Sequence, residues 1–329
     1  MQSARQLRLF AVGLAGTLAV AACGGNSGPS SSTTISQSQA TVIGSEAAGQ
    51  IGGLAGGLTS FSSGSLTGGF FAPARPGGLV FARLRKLAPA SVRLRLALLA
   101  SPDSACVPTI SGDTLDSDGD GIPNGATYSF TAGNCSYADS TGSVVITGGI
   151  SLVDTDNATT LFGYDFTLNN FSVTATDSSA QNNSFKFVVD GSQLITVTAA
   201  TAAAAENVTF SYAVNGTNYF SFASDWNTSF TPTSGQIDPT SGPLQAGAFT
   251  VGGSYDWNGR SGTNADGNWK FTLATTAPLQ YDGQCTDPDY PLDSGTIQGA
   301  INGNQQVGFT VDFQGCGTLP TVTAYDTTP

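Results

Sequence analysis

The chain of 329 residues has no histidine, one methionine, three tryptophans and only 10% charged residues. Without histidine the usual general base of neutral pH is missing, and a Ser-His-Asp triad is excluded. Zinc is disfavoured on the same ground, because no C-x-x-C pair replaces the imidazoles. The nucleophile elbow G-x-S-x-G, the phosphate-cradling G-x-x-x-x-G-K and the metalloprotease H-E-x-x-H are absent as well. Basic residues are few and segregated. Residues 1–100 hold eight of the eleven Lys and Arg, whereas residues 101–329 hold three against 22 acids, a net of −19 that argues against a nucleic-acid partner. Long apolar runs are missing too. The one near the start, Leu9 to Ala22, has 14 residues, and a membrane-spanning helix needs about 20.

That run has a specific setting. In "MQSARQLRLFAVGLAGTLAVAAC" a basic head with Arg5 and Arg8 precedes the apolar residues, and Cys23 follows them. The order is that of an export signal rather than an anchor helix. Val20-Ala21-Ala22-Cys23 resembles the lipobox of bacterial lipoproteins. The resemblance implies that residues 1–22 are a signal peptide and that Cys23 becomes the lipidated first residue, a palmitate-type anchor to the membrane. Gly24 stands where an aspartate would favour inner-membrane retention, so the implied location is the bacterial cell envelope at the outer membrane. Several acyl chains, each CH₂ contributing about 0.8 kcal/mol, hold a protein stably at a bilayer.

Residues 23–78 are rich in Gly, Ser, Thr and Ala and read as a flexible tether. Within it Ile43 to Leu58 has some helical character that its glycines oppose. Residues 79–104 form a basic amphipathic segment, "LVFARLRKLAPASVRLRLALLA" at its centre, expected as two short helices broken at Pro89. It suits either anionic lipid or the acidic body that follows.

From residue 105 the pattern changes to strict alternation. Tyr164–Leu168, Phe185–Val189, Val208–Val214, Phe249–Trp257, Trp269–Leu273 and Val307–Phe313 each place apolar or aromatic residues on every second position. Alternate side chains of a strand point to opposite faces, so each segment has a dry face and a wet one, as in antiparallel sheet. Asp190-Gly191, Asn215-Gly216, Asn258-Gly259, Asp266-Gly267 and Asn302-Gly303 are hairpin-turn dipeptides. The fold class is therefore mainly β, an antiparallel meander over residues 105–329 forming a large sandwich, barrel or curved sheet. The alternation slips at Asn169-Asn170, which predicts a bulge or bend there.

Setting Cys23 aside leaves Cys106, Cys135, Cys285 and Cys316. In an exported chain they suggest two disulfides, and the sequential pairing closes the shortest loops. Free buried thiols are the alternative.

Inside the first of those loops lies "LDSDGDGIPNGATY". Asp116, Asp118 and Asp120 occupy positions 1, 3 and 5 of a loop whose sixth residue is Gly121. That spacing converges alternate carboxylates on an oxygen-coordinated cation, with the carbonyl of Ile122 at position 7 and the amide of Asn124 at position 9 as further ligands. Three close carboxylates repel one another unless a cation neutralises them, which favours Ca²⁺ over a solvated turn. Position 12 is Thr127, so the bidentate glutamate of an EF-hand is missing, and a structural site of modest affinity, about 10⁻⁴–10⁻³ M, is expected. "DSDGDGIPN" resembles one calcium loop of thrombospondin type 3 repeats, departing from it in Asn124 and in occurring once. The passage from Cys106 to Cys135, together with "GTIQGAINGNQQVGFTVDFQGCGT", resembles a group of bacterial lipoproteins, a likeness that implies no activity.

For catalysis only paired acids remain, Asp225, Asp256 and Asp266 beside Trp226, Trp257 and Trp269. Acids next to turns are mostly solvated, so an enzyme is the weaker reading. The expected partners are the membrane through the lipid and either a lipid-like or a glycan ligand; the tryptophans would serve a glycan, although Trp257 and Trp269 share the parity of the core.

Overall fold

The computed structural model describes residues 37–59, 106–120, 122–158, 163–177, 183–237, 245–259, 267–285, 287, 290–301 and 304–326. The leader with Cys23, the basic segment 79–104 and the dipeptide Asn302-Gly303 lie outside the described residues.

The alternating segments are strands, and they run longer than their motifs. In chain order they are β1 (Thr109–Asp113), β2 (Gly125–Phe130), β3 (Ser136–Asp139), β4 (Gly142–Asp154), β5 (Tyr164–Asp177), β6 (Asn183–Val197), β7 (Ala202–Val214), β8 (Thr217–Pro232), β9 (Gly247–Gly259), β10 (Gly267–Thr275), β11 (Leu279–Tyr281), β12 (Gly295–Ile301), β13 (Asn304–Phe313) and β14 (Thr321–Asp326). All pair antiparallel in one 14-stranded sheet of order β1-β2-β4-β5-β6-β7-β8-β9-β10-β12-β13-β14, with β3 on β4 and β11 on β9. Among the described residues the sheet does not close on itself.

One face carries the core. Phe210, Phe222, Trp257 and Trp269 follow one another in register across β7, β8, β9 and β10, and all four are buried. Their rings stack, Phe210 on Phe222 at 5.0 Å and Trp257 on Trp269 at 5.8 Å. Offset aromatic pairs of this kind add about 0.5–1.5 kcal/mol beyond area burial. Trp226 of β8 reaches past β9 to Phe271 of β10 at 6.0 Å. The residue of β9 opposite Trp226 is Gly253, which has no side chain to intervene.

The slip at Asn169-Asn170 is a bulge against both neighbours, because register shifts between Leu168 and Phe171 on one side and between Thr147 and Gly149 on the other. Asn170 adopts φ 46°, and its N–H donates to Asp190 Oδ1. This explains why Asp190-Gly191 is not a hairpin turn. It lies inside β6, where Gly191 has φ 141° and a Cβ would stand 2.1 Å from Asn207 O. Asn215-Gly216, by contrast, turns β7 into β8 with φ of 51° and 77°, as the dipeptide predicts.

The stretch assigned to the tether holds a helix, α1 (Gln37–Thr59), that packs on β13 and β14. Ala40, Ile43, Ala47, Ala48 and Ile51 form its buried stripe, at the spacing of one helical face. The glycine that lowers helix propensity here permits the docking. A Cβ on Gly44 would meet Val322 Cγ1 at 2.5 Å and Phe309 Cγ at 3.0 Å, and tertiary packing outweighs propensity in most protein helices. This helix is not long and apolar enough to cross a membrane.

Candidate metal centre

The aspartate loop joins β1 to β2 at the edge of the sheet. All five residues of β1 are exposed, so this edge strand contributes little apolar burial and needs other fastenings. At one end Cys106 is bonded to Cys135, and Val107 N donates to Asn134 O at 2.8 Å. The second bridge joins Cys285 to Cys316. Both are the expected pairings, and at separations of 29 and 31 residues each stabilises the fold by about 3.5 kcal/mol in the chain-entropy model.

At the other end lies the loop itself. Its carboxylates first cap their own backbone: Gly119 N donates to Asp116 Oδ1 at 2.8 Å, Asp120 N to Asp118 Oδ1 at 3.3 Å and Ile122 N to Asp120 Oδ1 at 2.7 Å. These bonds turn one oxygen of each residue toward the chain. The second oxygens, Asp118 Oδ2 and Asp120 Oδ2, are buried without a hydrogen-bond partner. One carboxylate oxygen from each of Asp116, Asp118 and Asp120 lies within 4.8 Å of the others. A Ca²⁺ at 2.3–2.6 Å from its ligands spans oxygens up to about 5 Å apart, so one ion can reach all three.

Burial pushes the carboxyl of Asp120 up to about 6, with the charges of Asp118, Asp154 and Asp116 adding to it against the hydrogen bond from Ile122. A buried carboxylate crowded by other acids is what a cation would relieve. Ile122 is 1% exposed, so its side chain anchors the loop in the core. Asn124 closes the neck. Its Oδ1 accepts from Ser117 N at 3.2 Å, while its Nδ2 donates to Asp113 Oδ2 and Ser117 Oγ at 2.9 Å each. The bond to Asn124 holds the exposed carboxyl of Asp113 below its usual range, the N–H of Leu115 adding to the effect.

Beside the loop stands Asp154, which the motif does not contain. It ends β4 in the column of Ile150 and Leu152 and is 4% exposed. Its N–H donates to Pro123 O at 3.2 Å. The signal for it was in the alternation, since parity assigns Asp154 to the dry face, where a carboxylate needs a partner.

A second polar group was also missed. Tyr164 OH donates to Gln193 Oε1 at 3.2 Å, and Ser224 Oγ lies 3.5 Å from Glu206 Oε1. Gln193 and Glu206 face each other in register, forming a polar row through the core. Burial and then the Glu206 charge keep the Tyr164 phenol protonated.

Among the described residues the candidate acids and the tryptophans do not come together. Asp225 and Asp256 are exposed, whereas Trp226, Trp257 and Trp269 are buried. Neighbours in a strand point to opposite faces, so the sheet separates these acids from the rings. Asp266 lies outside the described residues. Lys270 pairs in register with Asp256. Comparison with protein-family models, with curated proteins and with solved structures finds no match for this chain.

Proposed function

We propose that the protein is an exported, lipid-anchored envelope protein whose β-domain is a non-enzymatic structural or partner-binding module fastened by Ca²⁺ and two disulfides. The observation that carries this reading is the pairing of all four body cysteines, Cys106 with Cys135 and Cys285 with Cys316. Such bonds belong to oxidising compartments, and they leave Cys23, directly after its apolar leader, for the lipid. The stacked rings of the core face support a structural or partner-binding role over a lipid carrier. Burial of all three tryptophans counts against a glycan platform.

Fractionation of cells expressing the full chain tests the anchor. Wild type is expected in the membrane fraction, with an N-terminal peptide whose mass includes acyl chains on Cys23. Cys23→Ser is expected to lose the acyl mass and the membrane association. Equal partition of both proteins, with no acyl mass, would reject the reading.

A further inference from the structure

We infer that Asp154 is the fourth carboxylate of the cation site formed by Asp116, Asp118 and Asp120, so that one bound Ca²⁺ ties the β1–β2 loop to the end of β4. This rests on the calcium reading of the loop and adds to it a ligand from outside the motif. Asp154 is a carboxylate 4% exposed in a core-facing column, where an unpaired charge is costly. Its Oδ1 accepts from Asp156 N at 2.8 Å, which sets the orientation of the carboxylate. Its Oδ2 is left buried without a hydrogen-bond partner, the same state as Asp118 Oδ2 and Asp120 Oδ2. Its backbone bond to Pro123 O holds it at the loop exit.

Three of the four carboxylates, those of Asp118, Asp120 and Asp154, therefore each hold one shielded oxygen without a partner. Asp154 does not join the triad's 4.8 Å grouping, and we place it on the core side of the ion, across from the exposed Asp116. Ca²⁺ takes 6–8 oxygens, and charge count and rigidity set its affinity. A rigid strand-borne carboxylate takes the part of the acid missing at Thr127, and it moves the affinity tighter than the 10⁻⁴–10⁻³ M range of weak extracellular sites. It also changes what the ion does. A loop-only site would order the loop, whereas a site including Asp154 fastens the loop that follows the exposed strand β1 to the end of β4.

Calorimetric Ca²⁺ titration of the full, oxidised chain tests this with wild type, Asp118→Asn, Asp154→Asn and Asp225→Asn. Asp154→Asn is expected to weaken binding at least tenfold while strand circular dichroism and both disulfides persist. Asp225→Asn, which removes an exposed charge on β8, is expected to stay within threefold of wild type. If Asp154→Asn does not fold, Asp154→Ser is read in its place with the same outcomes. Wild-type affinity in the Asp154 variant, with binding lost in Asp118→Asn, would overturn this inference and leave the calcium loop standing. Absence of Ca²⁺ binding by wild type would overturn both.

Discussion

At the scale of single residues, the aspartates show how a short polar side chain serves the backbone and a ligand at once. Each loop aspartate caps a neighbouring N–H with one oxygen, and Asp118 and Asp120 hold the other shielded from water. Millimolar Ca²⁺ is therefore expected to raise the melting temperature, and Asp118→Asn to abolish the rise. Identical melting curves in Ca²⁺ and in chelator would reject the site. Asp190 does related work by accepting from the bulged Asn170. The motif D-x-D-x-D-G was legible because its spacing is local. The partners of Asp154 and Asp190 were not, since they come from loops and strands remote in sequence.

At the scale of elements, strands and helix were legible to different degrees. Period two survives in sequence because it reports a single plane of burial. The dipeptides were less reliable: Asn215-Gly216 makes the turn it predicts, but Asp190-Gly191 serves a bulge, since the same positive φ suits both uses. Helix α1 was the least legible, because its stability resides in the fit of Gly44, Ala47 and Ala48 to the sheet rather than in propensity. Gly44→Leu is accordingly expected to undock it, although leucine is the better helix former. Hydrogen exchange would show lost protection in residues 40–51 and in β14, with β5 to β8 unchanged. Retained protection of the helix would refute this account of its docking.

At the scale of the whole molecule, an open sheet has two edges, and unpaired edges invite association with other chains. Here the β1 edge is fastened by Cys106–Cys135 and by the aspartate loop, while α1 packs on β13 and β14 at the opposite edge. The second disulfide joins the β11–β12 and β13–β14 connections. The two bridges should therefore behave differently. Replacing both Cys285 and Cys316 by serine is expected to cost about 2–4 kcal/mol in urea unfolding and to leave Ca²⁺ affinity unchanged. Replacing Cys106 and Cys135 is expected to cost a similar amount and to weaken Ca²⁺ binding as well, because that bridge staples the hairpin that presents the loop. Equal Ca²⁺ affinity in both variants would separate the metal from the disulfide.

What the amino-acid order determined by itself is whatever depends on neighbours along the chain: the β class, the dry face, the bulge and three aspartates spaced for one cation. Tertiary structure alone decided which distant groups complete those local features. It brought Asp154 to the loop, Asp190 to the bulge and Gly44 against Phe309, and it put acids and tryptophans on opposite faces. The reason is physical. Backbone periodicity acts over a few residues, whereas pairing a buried charge or fitting a helix to a sheet depends on atoms that meet only after the chain has folded.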